Sequence, residues 1–159
     1  MTYQIADEPI PPDSLKSLVC RPNAPLLAAM VCGAWLAWPW FAFNAIALGS
    51  PTRRRELIAC AAGALGSAAL AVAVFFLVRV GIIESRLALE IALLGVTTWK
   101  LGVAHYVCKL QSRTFDVYTF YGGGVRSPRL VLTAGFYLRT VVLGLIDHPV
   151  WIIIVAGGL

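Results

Sequence analysis

The stretch from Glu84 to Lys109, ESRLALEIALLGVTTWKLGVAHYVCK, decides how the rest of the chain is read. It has the length and apolar content of a membrane-spanning helix, yet it carries Glu90, Thr97, Thr98, Lys100 and His105. A charge at bilayer depth costs roughly 2.5–3.5 kcal/mol on insertion scales, so such residues are paired, face a bundle interior, or reach for an interface. At about 100° per residue, with Glu90 at zero, Thr97 falls near −20°, His105 near +60°, Thr98 near +80° and Lys100 near −80°. All five lie on one half of the helix. Leu89, Ile91, Val96, Trp99 and Val103 lie on the other, which predicts a protein face and a lipid face. Glu90 and Lys100 are about 15 Å apart along the axis, so each needs a partner elsewhere. The bland reading is that Glu90 sits at one interface and Lys100 snorkels toward the other. The sharper one is a polar network between helices, with Glu90 and Asp147 as candidate partners of Lys100.

Composition supports the membrane reading. Of 159 residues, 59% are hydrophobic and only 13% charged, and mean hydropathy is +0.79. A soluble domain needs more charge to cover its surface. The chain has room for about four spans of roughly 20 residues. The predicted fold is therefore an all-α integral membrane protein with four transmembrane helices, at about 25–48, 56–78, 86–109 and 129–158. Residues 1–23 form a tail, and 24–159 the transmembrane domain. The net charge of +5 fits arginine-rich loops, and no basic patch interleaved with aromatics suggests a nucleic-acid binder.

In the tail, Pro9, Pro11 and Pro12 forbid regular structure, and Asp13 or Ser14 can cap a short interfacial turn through Leu15, Leu18 and Val19. The front is acidic, without the basic region of a secretory signal. In the first span, Asn23 is the expected cap and Pro39 the expected kink. Trp35, Trp38, Trp40, Phe41 and Phe43 read as an aromatic belt with packing. The second span holds Ala59, Gly63, Ser67 and Ala71 at strict four-residue spacing. Such rows let backbones approach closely, so helix packing is expected there.

Ser85 can cap the third helix. Residues 110–128 are expected to be a long aromatic and glycine-rich loop, since Phe115 to Tyr121 has strand-like composition and Gly122, Gly123 and Gly124 break it. With Arg126 and Arg129 at the next helix start, these glycines are a candidate anion or headgroup contact. The last segment is too long for one perpendicular span. The favoured reading is one tilted helix kinked at Pro149, and the alternative is a span to Ile146 followed by a re-entrant tail. Arginine distribution places loops 49–56 and 110–128 in the cytoplasm and both termini outside.

The titratable groups at depth are Glu90, Lys100, His105, Arg139, Asp147 and His148, and with Thr97 they make up the candidate intramembrane polar network. Cys20, Cys32, Cys60 and Cys108 have no ligand spacing, and no HExxH-like motif occurs. No catalytic residue, metal site or cofactor is assigned. The function expected is non-enzymatic: a small bacterial inner-membrane protein that binds another membrane protein or itself, such as an immunity protein against a membrane-active toxin or an accessory subunit. Colicin-type immunity proteins are inner-membrane bundles of similar length; the likeness is one of size and layout and rests on no motif. The alternative is an oligomeric channel or transporter subunit with a pathway lined by the third helix.

Overall fold

The computed structural model describes Leu15 and residues 18–156. The tail before Leu15, with its expected cap at Asp13 or Ser14, lies outside the described residues. Six helices and no strand occur among them: α1 (Asn23–Val31), α2 (Ala34–Ala47), α3 (Arg53–Arg79), α4 (Arg86–Phe120), α5 (Arg129–Leu143) and α6 (Pro149–Val155).

Among the described residues two helices, not four, are long and apolar enough to cross a membrane. They are α3 and α4, which pack as an antiparallel pair joined by a short turn at Val80–Ser85. Gly81, at φ 77°, turns the chain there. Ser85 caps α4 by accepting a hydrogen bond from Ala88 N at 3.1 Å. At about 1.5 Å per residue α4 is about 52 Å long, well beyond a hydrocarbon layer of about 30 Å. It absorbs most of the loop expected at 110–128. The apolar line Ala104, Val107, Cys108 runs on through Gln111 to Phe115 at helical spacing, all buried. Burial along that line outweighs the β-leaning composition of residues 115–121.

The first expected span is also two helices. The chain reverses at Cys32–Gly33, with Gly33 at φ 109°, a backbone region open to glycine and costly for other residues. The amides of Cys32 and Gly33 both donate to Ala28 O, at 2.9 and 2.8 Å. The two arms then run back along each other, with Ala24 and Ala28 of α1 packed against Trp40 of α2. Both open ends of this hairpin meet the same turns of α4. Cys108 donates through its thiol to Asn23 Oδ1 at 3.3 Å, and Asn44 Nδ2 donates to Gln111 Oε1 at 3.1 Å. A continuous helix over 25–48 would place Asn23 and Asn44 at opposite ends of the molecule. The break falls at Gly33, not at Pro39, which sits inside α2. Asn23 is already helical, and its side chain serves Cys108 instead of capping α1.

The last segment is divided too. Residues 144–148 separate α5 from α6, so the single kinked helix is replaced by two. His148 caps α6, accepting from Val150 N at 3.2 Å. From there α6 runs back along α3: Phe75 lies against His148, while Val155 shares a cavity with Ala64 and Ser67. Its C-terminal end and the tip of the α1–α2 hairpin (Ala34, Trp35) therefore meet beside the middle of α3.

The principal core lies where α1 to α4 converge, around Ala37, Trp38, Phe41, Cys60, Ala104 and Val107. Gly63 admits Trp38. A Cβ added at Gly63 would lie 2.5 Å from the Trp38 ring, and one at Gly66 would lie 2.5 Å from Trp99 Nε1. The buried line of α3 is Glu56, Cys60, Gly63, Ser67, Ala71 and Val74, with Ala59 half-buried against the same core. At Gly63 and Gly66 the missing side chain makes room for an indole ring.

Candidate functional site

Three polar groupings lie between the helices, and each is built by a different local arrangement.

The first surrounds Lys100. The buried face of α4 runs through Val96, Lys100, Ala104, Val107, Gln111 and Phe115. On the helical projection it centres about 60° from Glu90, toward Lys100. Val96, placed on the lipid half by the sequence, is buried, and Thr98 and His105 are exposed. Lys100 meets no carboxylate among the described residues. Its ammonium donates to Ile153 O and to Ala156 O, the latter at 2.9 Å. These are carbonyls of the last turn of α6, which lack donors within their own helix. A cation at a helix C-terminus also meets the favourable end of the macrodipole. Thr97 lines the same 190 Å³ cavity as Lys100.

The other members of the expected network are dispersed. Glu90 pairs with Arg86 one turn earlier, at 2.9 Å on the surface. Arg139 donates to Val31 O at 3.0 Å, serving the C-terminal end of α1. His148 is an exposed helix cap. Asp147 stands at the rim of an otherwise apolar 390 Å³ cavity between α3, α4 and α6. No group of three or more metal-ligating side chains occurs among the described residues.

The second grouping ties the hairpin to α4. Asn44 and Gln111 are fully buried. Asn44 Oδ1 accepts from Cys20 N at 3.1 Å, and Gln111 Nε2 donates to Phe41 O at 2.8 Å. Each amide thus both donates and accepts, which buried amides require. Gln111 had been placed in a loop; the continuing three- and four-residue spacing after Ala104 was the signal for it.

The third lies at the arginine-rich turn before α3. Ser50 and Thr52 both donate to Glu56 Oε1, Thr52 at 2.6 Å. Ser50 also contacts Thr114 of α4 at 3.2 Å. Glu56 is fully buried, and its Oε2 has no partner among the described residues. Beside this cluster an open cavity of 530 Å³ is lined by Arg55 and Arg113 among others. The glycine run lies elsewhere. Gly123 sits over the Tyr118 ring, and Gly124 O accepts from Tyr118 Oη at 3.1 Å. Arg126, on the strap leading to α5, and Arg129, its first residue, are exposed.

Comparisons with protein families, curated proteins and solved structures give no significant match. The reading of function therefore rests on geometry alone.

Proposed function

We propose that this chain is a non-enzymatic bacterial inner-membrane protein that works by binding another membrane protein. In this reading α3 and α4 cross the bilayer and α5 runs beside them. The α1–α2 hairpin and α6 enter from opposite ends and stop part-way, where protein covers their irregular backbone. The observation that carries partner binding is the state of α5. Gly135 is its one buried residue, and its outer face presents Leu130, Phe136, Tyr137, Val141 and the following Leu145. A helix held along one narrow edge leaves most of its apolar surface for lipid or for a second protein. Aromatic side chains such as Tyr137 are the type enriched in protein contacts. An immunity protein or an accessory subunit would use such a face.

The test is photo-crosslinking in cells from a benzophenone amino acid at position 137, with Leu65 of α3 as the control. A discrete protein adduct from 137 and none from 65 supports the reading. Lipid adducts alone at both positions would overturn it.

A second reading, a channel or transporter subunit, has one observation in its favour. Interrupted helices that meet at mid-depth are how many transporters build their sites. Against it, Lys100 seals the end of α6, and the polar residues expected to line a path are scattered. Ion flux through liposomes carrying the purified protein would support this second reading.

A further inference from the structure

The cavity beside the arginine turn has the composition of a phosphate-ester site. It is formed where the Gly49–Thr52 turn and the start of α3 meet the last three turns of α4. Two guanidinium groups line it, Arg55 from α3 and Arg113 from α4. Neither has an ion-pair or hydrogen-bond partner among the described residues. Thr52 and Thr114 also line it, with their hydroxyls bonded into the Ser50–Glu56 cluster, and Leu48 and Leu110 add an apolar wall. Planar guanidinium groups pair bidentately with phosphate oxygens. The Glu56 carboxylate is turned into the Ser50 and Thr52 hydroxyls, and neither it nor Asp116, three residues beyond Arg113 on α4, lines the cavity. Among the described residues the cavity wall therefore carries two positive charges and no negative one. A volume of 530 Å³ falls within the usual range of small-molecule sites, roughly 300–1,000 Å³.

We propose that Arg55 and Arg113 clamp a phosphate ester in this cavity. The chemistry suits an anionic phospholipid headgroup, whose glycerol end would lie on Leu48 and Leu110. It also suits a soluble phosphate. The site is independent of the α5 face, so either proposal can fail without the other.

The experiment uses the purified, delipidated full chain in neutral detergent and follows its melting temperature with three probes: phosphatidylglycerol, phosphatidylcholine and inorganic phosphate. A ligand that binds only the folded state raises the melting temperature. The expected result is a rise of several degrees with phosphatidylglycerol, little with phosphatidylcholine, and loss of the rise in Arg55→Gln/Arg113→Gln. The control Arg53→Gln/Arg54→Gln, which removes two charges outside the cavity, should keep it. An equal rise with inorganic phosphate, lost in the same double variant, supports the clamp and assigns it to a soluble ligand. A rise that survives Arg55→Gln/Arg113→Gln, or no rise with any probe, overturns the proposal. Both arginines are exposed, so the double variant is expected to fold; Arg55→Lys/Arg113→Lys should retain part of the effect.

Discussion

Gly63 shows how one missing methyl organises four helices. The Trp38 ring occupies the space where a side chain would begin, and that ring belongs to the core shared by α1 to α4. Gly63→Leu must displace the indole, and overpacking of this kind costs about 1–3 kcal/mol. Leu65, on the opposite face and 71% exposed, has no such neighbour. Gly63→Leu is therefore expected to lower the melting temperature in detergent well below that of Leu65→Ala, and Gly63→Leu/Trp38→Ala to recover part of the loss. Equal effects from the two single changes would show that the indole does not depend on Gly63. The four-residue row was visible in the sequence. Its occupant was not, because an indole and a neighbouring backbone demand the same small residues.

Among the elements, α6 depends most visibly on a single distant side chain. It has seven residues, too few to be stable alone. Three contacts hold it: the Lys100 bonds to its last carbonyls, the Trp151 Nε1 bond to Val142 O at 2.9 Å, and the His148 cap. Lys100→Met keeps the apolar stem and removes the donor. Leaving those carbonyls unsatisfied should cost about 1–3 kcal/mol. Amide exchange at residues 149–156 should quicken while exchange in the centre of α3 stays slow. Because Lys100 meets carbonyls rather than a carboxylate, adding Asp147→Asn or Glu90→Gln should be additive to within about 0.5 kcal/mol. Rescue by either second change would show that Lys100 is paired with that carboxylate, as the sequence had suggested.

For the whole molecule, the hairpin decides at which end the segment entering α1 lies. Asn23 and Asn44 stand level with Cys108 and Gln111, so the segment entering α1 lies at the arginine end of α3. A crossing first span would have put it at the other end. Single cysteines at Arg21, Arg54 and Phe120 should label from one side of the membrane and a cysteine at Ile82 from the other, with the four native cysteines replaced by alanine. Labelling of position 21 from the side of position 82 would restore the crossing span and remove the hairpin from the membrane-embedded form. All four native thiols are buried, so the protein that retains them serves as the unlabelled reference; Cys108→Ala removes the bond to Asn23 but leaves the one between Asn44 and Gln111.

Local signals determined that the chain is helical, that α3 and α4 are apolar enough to cross a membrane, and that Ser85 opens α4. Each follows from hydropathy, helical spacing or a short-range cap, which neighbouring residues supply. Tertiary structure decided the rest. Gly33 reverses the chain because α1 and α2 can bury their alanines and Trp40 against each other, and hydropathy reads the same for one long helix as for two antiparallel ones. Lys100 finds carbonyls 53 and 56 residues away, and Arg55 and Arg113 line one cavity from two helices. Those placements depend on which elements lie side by side, and no periodicity within a single segment encodes that.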